Sequence, residues 1–550
     1  MSKNLSDLAG KKGLEDNLFE QVGRLATVTG TPAKKDLARL ADEFLMGKAN
    51  LYGTASFYDF TKEDNRGKKI YICNGSACLT ARTQDEVREK ISAHFQPEEV
   101  GHMCCLGRCY ENSSFHYQGI NYSGDDINAL EEIIEHPTPR SKPFHYGAVG
   151  SEVLIHQDFH VPYFAEILEK VLHSPDEFCL EELRISGLRG RGGAGFPIAV
   201  KFDACKKSPG KHKFLVCNAD EGDPGAFSDR FLMEKNPYSI LFGMVMGGFM
   251  TGADYGVVYI RGEYPESIRI IGDAIKYMHE NNFCGDKILG TDFSFNFKLI
   301  SAMGAYICGE ETALLNSIEG QRPEVRVRPP YPAVQGLFNM PTVVNNVETL
   351  ACIPWIMKNG GQAFAGVGRG KSTGTKLISL DGFFNRPGIY EVDNGTPLRK
   401  VVDELGGGFR VPIKALHIGG PLGGLLPIEK IDALSIDFES FAEQGFLLGH
   451  GSILCIPEDF PMIEYVEHLF EFTAQESCGK CFPCRLGATR GQELMHKART
   501  GDYKIESGLL EDLLETMQLG SLCALGGGVP LPVKNALEYF SEEMAPYLSK

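Results

Sequence analysis

Phe214-Leu-Val-Cys217 is a short apolar run that stops at Asn218-Ala-Asp220-Glu221-Gly-Asp223-Pro-Gly-Ala-Phe227, a cluster of polar and turn-forming residues. Together they predict a buried strand whose carboxyl end opens into a loop. Similar runs at Gly256 to Ile260 and Lys298 to Ile300 alternate with helical patterns such as Pro265 to Asn281, which is how a parallel α/β sheet reads. Ligands of open α/β sheets gather outside the carboxyl ends of the strands, where Asn218 and Asp220 would hydrogen-bond a heterocycle or a polyol. Ala305-Tyr306-Ile-Cys-Gly309-Glu310-Glu311-Thr312, a glycine turn into a helix, and Asn345-Asn346 before Val347-Glu348-Thr349 fit the same edge, although each alone also reads as a turn or a helix cap.

Upstream, Gly190-Arg-Gly192-Gly193-Ala-Gly195-Phe196 satisfies G-x-G-x-x-G, but Glu181 to Leu188 before it reads as helix, so the dinucleotide fingerprint fails its context. The glycines still make a backbone able to lie against a flat or phosphorylated ligand, with Arg191 and Lys201 expected to meet negative charge.

This α/β unit spans residues 150–350. Before it, Leu18, Val22, Leu25, Leu37, Leu40, Ala41, Phe44 and Leu45 recur at near-helical spacing and predict a helical cap over 1–64. Over 65–140 come the strand Ile70-Tyr71-Ile72, a helix from Thr83 to Phe95, short strands between Phe115 and Tyr122, and a helix from Asp125 to Glu135. They form a small α/β unit closed by a linker from Pro137 to Pro143. Residues 372–450, with strands Lys376 to Ser379, Gly388 to Glu391 and Ala415 to Ile418 and a helix Leu398 to Leu405, predict a small α+β module. The periodicity of Met462, Val466, Leu469, Phe470 and Phe472, then of Leu509, Leu510, Leu513 and Leu514, predicts a helical bundle over 458–550.

The chain has 550 residues, 43% of them hydrophobic, which is too long for one core and implies several domains. Its formal charge of −17 repels a phosphate backbone and argues against nucleic acid as a partner. No export signal opens the sequence, and the most apolar run, Ile240 to Ile260, carries Asp254 and five glycines. A cytoplasmic location without membrane insertion is expected, and the sixteen cysteines then read as metal ligands or buried thiols rather than disulfides.

Cys478-Gly-Lys-Cys481-Phe-Pro-Cys484 brings three thiols together in one turn, and Cys523 supplies a fourth, as a [4Fe–4S] cluster needs. Cys73 and Cys78 with Cys105 and Cys109 make two pairs suited to a [2Fe–2S] rhombus; Cys104 creates a register ambiguity that the x₃ pair Cys105/Cys109 resolves. Zinc is the alternative occupant of both sets. Cys104, Cys179, Cys205, Cys217, Cys284, Cys308, Cys352 and Cys455 read mostly as core residues. His156 and His160 would share a helix face, but Pro162 interrupts it and no third ligand is near.

At these motifs the chain resembles the NADH-oxidising flavoprotein subunit of respiratory complex I and its relatives, the diaphorase subunits of soluble NAD-reducing hydrogenases and of NAD-dependent formate dehydrogenases. Gly-Leu-Arg-Gly-Arg-Gly-Gly-Ala-Gly-Phe-Pro (187–197), Cys-Asn-Ala-Asp-Glu (217–221), Gly-Ala-Tyr-Ile-Cys-Gly-Glu-Glu-Thr-Ala-Leu (304–314), Val-Asn-Asn-Val-Glu-Thr (344–349) and Glu-Ser-Cys-Gly-Lys-Cys (476–481) carry the likeness. Residues 1 to 140 resemble the thioredoxin-like [2Fe–2S] subunit of the same complexes, fused in front, and Thr54-Ala-Ser-Phe-Tyr58 is similar to the fused hydrogenase diaphorase. The resemblance implies an α/β multi-domain fold: helical cap, thioredoxin-like domain, Rossmann-like FMN and NAD domain, ubiquitin-like module and cluster-bearing bundle. It implies FMN contacts at Gly190, Gly192, Lys201, Asn218, Asp220, Tyr306, Gly309, Glu310, Asn345 and Asn346, with NAD near Gly193, Phe196, Asp223, Glu311, Arg328 and Tyr331. Asp223, Arg328 and Tyr331 stand where the family commonly has Glu, Lys and Phe. Arg328 would tolerate a 2′-phosphate and Glu311 would repel it, so NAD is expected.

A hydride carries two electrons and an iron–sulfur cluster accepts one, so a flavin is the required adaptor. The implied function is an NADH:acceptor oxidoreductase subunit of a hetero-oligomeric complex. It would exchange electrons with a hydrogenase or formate dehydrogenase, with the [2Fe–2S] centre as a side store or branch. No acid–base residue is needed, because stacking nicotinamide on flavin supplies proximity. The alternatives are a complex I-type NADH dehydrogenase module and a flavin-less electron-transfer or scaffold subunit.

Overall fold

The computed structural model describes residues 14–26, 30–140, 144–156 and 160–549. The beginning of the expected cap, the end of the Pro137 to Pro143 linker and the middle of His156 to His160 lie outside the described residues.

Four parallel strands organise the largest unit, in the order Asn296–Ser301, Tyr255–Ile260, Phe214–Ala219, Thr342–Asn346. Successive side chains of a strand point to opposite faces, so this sheet needs cover on both. Leu215, Cys217, Val258 and Ile260 pack against the helices Ile198–Lys207 and Pro237–Thr251. The other face, with Val216, Val257, Tyr259 and Ile300, is covered by the helix Glu311–Ile318 and by the N-terminal helices Leu18–Ala26, Lys34–Glu43 and Lys48–Ala55. Phe19 and Tyr58 meet edge to face at 5.3 Å. Their burial is worth about 1.5–3 kcal/mol for a large apolar side chain. Asn17 donates to the Ile318 carbonyl at 2.8 Å, and Tyr58 and Tyr259 share the Ser317 hydroxyl at 2.9 and 2.8 Å. The helical segment is thus the missing layer of the central sheet.

In the small N-terminal unit the strands run Val100–Met103, Ile70–Cys73, Phe115–Tyr117, Ile120–Tyr122. The first two are parallel, joined through the helix Gln84–Ser92, so both chains leave the sheet at the same edge. Both cysteine loops begin there.

A mixed six-stranded sheet follows, in the order Gly424–Pro427, Ile413–Ile418, Ser452–Pro457, Thr375–Leu380, Gly388–Asp393, His145–Val149. Two of its strands come from outside 372–450. Ser452–Pro457 is buried at every position, so it lacks an alternating signature, and His145–Val149 is an exposed edge strand with little apolar pattern. The tail packs the helices Met462–Glu476, Phe482–Thr500, Ser507–Gly520 and Pro530–Tyr539 around Phe470, Leu494, Leu514 and Val533. Among the described residues no helix is long and apolar enough to cross a membrane.

Candidate cofactor site

Phe214–Ala219 has the strand Tyr255–Ile260 on one side and Thr342–Asn346 on the other, so the chain leaves its carboxyl end where the sheet order reverses. Such a switch point leaves a crevice. At its floor Asn218 donates to the Gly309 carbonyl at 2.8 Å and accepts from the Asp220 amide at 3.1 Å. Tyr306 donates to Asp223 at 2.6 Å, and Glu310 caps the helix Glu311–Ile318 by accepting from the amides of Thr312 and Ala313 at 2.9 Å.

The glycine loop closes on itself: the Gly190 amide bonds the Phe196 carbonyl at 2.9 Å, and Arg189 donates to the Gly195 carbonyl at 2.6 Å while lying 4.4 Å over the Phe438 ring. A Cβ on Gly192 would sit 3.0 Å from that of Asn346, so glycine keeps the loop close to the strand end. Gly193 lies beside Gly449. Contrary to the sequence expectation, Arg191 does not face a ligand. Its side chain is fully buried and donates to the Thr373 carbonyl at 2.6 Å, anchoring the loop from behind.

Buried polar atoms are normally paired, and the exceptions at this edge include Asp220 Oδ2, Asp229 Oδ1, Glu263 Oε2 and Asn345 Nδ2. Burial holds the Asp220 carboxyl well above the usual range, opposed by Arg261. On the outer side Lys201 Nζ reaches Glu311 at 3.1 Å and Arg328 reaches it at 2.9 Å, which gathers two cations around one carboxylate. Phe196 and Tyr331 are 47% and 60% exposed, open for a ring to stack on them. This donor set fits a flat heteroaromatic bearing phosphate.

Asn346 is held in place by residues that the sequence did not single out. Its amide donates to Asp229 at 2.5 Å, and His450 lies 3.3 Å from Asp229 and 3.7 Å from Glu221. Burial opposes charge on His450, but the two carboxylates outweigh it and raise the imidazole to about 9.

Cys478, Cys481, Cys484 and Cys523 gather around Leu525 and Phe472. Ser477 Oγ lies 3.4 Å from Cys484 Sγ. Burial, and with it the field of Glu310, pushes the Cys523 thiol up to about 12 against the Leu525 amide. Cys105 and Cys109 sulfurs are 3.4 Å apart. The Cys78 thiol and the backbone amides of Gly75, Leu106 and Cys105 aim at Cys73, which is drawn down while Cys78 is pushed up, so the two sulfurs share one proton. The structure brings these four together and turns Cys104 away, packed against the core and bordering a polar cavity with Asp220, Glu263 and Glu476. His160 is extended and precedes the helix Val161–Leu172, so it does not share a helix face with His156.

Arg261, Glu263 and Tyr264 were missed, yet they directly follow the strand Tyr255–Ile260 at the same edge as Asn218. The strand-end rule applied to that run would have found them.

Residues 183–355 match the family described as the Nuo51 FMN-binding domain, and 464–547 match the NADH-ubiquinone oxidoreductase-F iron–sulfur binding region, which contains the four tail cysteines. An F-type subunit of the NADH-quinone oxidoreductase of Rhizobium meliloti is 41% identical over 385 residues, covering 69% of this chain and 90% of that protein. The NADP-reducing hydrogenase subunit HndC of Solidesulfovibrio fructosivorans is 40% identical over 381 residues, 69% of this chain and 77% of its own. A chain in the crystal structure of air-oxidized NAD+-reducing [NiFe]-hydrogenase superposes with a TM-score of 0.85 at 28% identity, covering 98% of this chain and 95% of that one. With its flavin crevice and cluster region both matched by such relatives, the chain belongs to the family of F-type subunits of NADH-quinone oxidoreductase.

Proposed function

We propose that the chain is the NADH-oxidising diaphorase subunit of a cytoplasmic hydrogenase-type complex. The observation that carries this is coverage. The superposition on the hydrogenase chain takes in 98% of this chain, the N-terminal units included, while the sequence matches to the quinone-oxidoreductase relative and to HndC each take in 69%. NADH oxidation through FMN and a [4Fe–4S] cluster, with electrons passed to a partner subunit, is the activity of the family. Bound FMN supplies the exchange between a two-electron hydride and single electrons.

In this reading the cap and a thioredoxin-like domain end near 140, a Rossmann-like domain spans 150–350, a ubiquitin-like module follows, and a bundle completes the chain. Gly190, Gly192, Lys201, Asn218, Asp220, Tyr306, Gly309, Glu310, Asn345 and Asn346 hold FMN. Gly193, Phe196, Asp223, Glu311, Arg328 and Tyr331 receive NAD. Cys478, Cys481, Cys484 and Cys523 hold the [4Fe–4S] cluster, and Cys73, Cys78, Cys105 and Cys109 a [2Fe–2S] centre. The exposed Phe482, Leu486, Leu519 and Leu522 lie in the segments that carry Cys481 and Cys523, an apolar apron that suits a partner subunit. The chain's residues orient the nicotinamide by stacking and exclude water; none moves a proton.

Purification of the native complex tests the assignment: a hydrogenase catalytic subunit and hydrogen-dependent NAD+ reduction are expected, and quinone reduction without hydrogen turnover would overturn it. Glu311 neutralises both Lys201 and Arg328. Glu311→Ala removes a carboxylate that would repel a 2′-phosphate and leaves Arg328, 3.4 Å from Glu310, to meet it, and the kcat/KM ratio of NADPH to NADH is expected to rise about tenfold, or about 1.4 kcal/mol. An unchanged ratio in steady-state kinetics would contradict that placement.

A further inference from the structure

One guanidinium spans the seam between the flavin-side loop and the N-terminal cysteine loop. Arg261 is 3% exposed. Its Nη1 donates to the Glu221 carbonyl at 2.6 Å, and its Nη2 donates to the Cys104 carbonyl at 2.7 Å and to Glu263 Oε1 at 2.9 Å. Tyr264 lies 5.0 Å beneath the guanidinium and donates to Glu221 Oε2 at 3.2 Å. The same ring presses on Gly107, whose φ is +66° and where a Cβ would come within 2.8 Å. Asn121 donates to the Glu263 carbonyl at 2.7 Å, closing the seam from the cysteine side. A planar fork of donors fixes two loops rigidly, which a flexible ammonium does not.

The charges around this fork are unbalanced. A cavity of about 10 Å³, room for one water, is lined by Cys104, Asp220, Glu263, Tyr306 and Glu476, with Arg261 as the only cationic side chain in the wall. Glu263 Oε2 is buried and has no partner. An electron arriving on the four-cysteine centre from the flavin side adds one negative charge, with no bond made or broken and no proton moved. In a poorly polarisable interior a fixed cation nearby stabilises that charge and a carboxylate opposes it.

We propose that Arg261 is a positioning residue that locks the Asn218 to Asp223 loop onto the Cys104 to Cys109 loop. With Glu263 as its counterweight, it sets the reduction potential of the centre held by Cys73, Cys78, Cys105 and Cys109. This rests on the [2Fe–2S] reading given above.

The test is a redox titration of the full chain followed by electron paramagnetic resonance, comparing Arg261→Gln, Arg261→Lys and Glu263→Gln with the parent. Arg261→Gln is expected to disfavour reduction about tenfold, a fall of 59 mV for one electron. Glu263→Gln is expected to move the midpoint the opposite way, and Arg261→Lys to stay nearer the parent. Midpoints that do not move, or that move together in Arg261→Gln and Glu263→Gln, overturn the role of Arg261. If Arg261→Gln does not fold, the opposite shift in Glu263→Gln and the small one in Arg261→Lys decide. A parent chain with no signal that Cys109→Ser removes overturns the centre itself, and the proposal with it.

Discussion

Cys484→Ala is expected to strip the tail of its iron, lowering iron by about four atoms per chain, because the cluster needs all four thiolates. Cys484 sits in the first turn of the helix Phe482–Thr500, and a Cβ on Gly526 would meet its own Cβ at 2.5 Å and its sulfur at 3.0 Å. NADH-driven reduction of the partner is expected to fall at least ~10²-fold, about 2.7 kcal/mol or more in activation free energy. Metal analysis and partner reduction read the result; unchanged iron, or zinc in the parent protein, would overturn the assignment. Flavin extracted from the variant should match the parent, since the crevice is built on other elements.

Lys376→Met is expected to cost about 3–5 kcal/mol, because it leaves a buried carboxylate unpaired. Lys376 and Glu348 form an ion pair with both side chains fully buried. Glu348 also accepts from the Leu377 amide at 3.0 Å, so the pair joins the helix Val347–Ala351 to the strand Thr375–Leu380. The helix begins directly after Asn346, which places the lock behind the flavin crevice. Combining Lys376→Met with Glu348→Leu should recover most of the loss, since a packed apolar pair is often neutral relative to a buried ion pair. Denaturant midpoints of the two variants check this; a double variant no more stable than Lys376→Met would contradict it.

The central sheet and its ligand edge were legible because strand-end polarity survives in one sequence: Asn218, Asp220 and Asn345 all sit where an apolar run stops. The tail cysteines were legible through their spacing. Arg191 was misread because a glycine-rich loop shows only that a backbone approaches a ligand, and not where the one long side chain within it turns. The strand Ser452–Pro457 escaped because a strand buried on both faces carries no alternation. The cap was read as helices, but its role as a sheet layer was hidden. Its apolar stripe says that something is buried and not against what.

That layer has a consequence for biogenesis. The contacts of Asn17 with Ile318 and of Tyr58 with Ser317 join residues separated by 301 and 259 positions. On the ribosome the cap segment therefore holds an apolar surface whose counterpart has not yet been synthesised, and it must stay unaggregated until the following three hundred or so residues arrive. Keeping that surface apart from other chains, ahead of any cofactor chemistry, is then an early demand in making the protein.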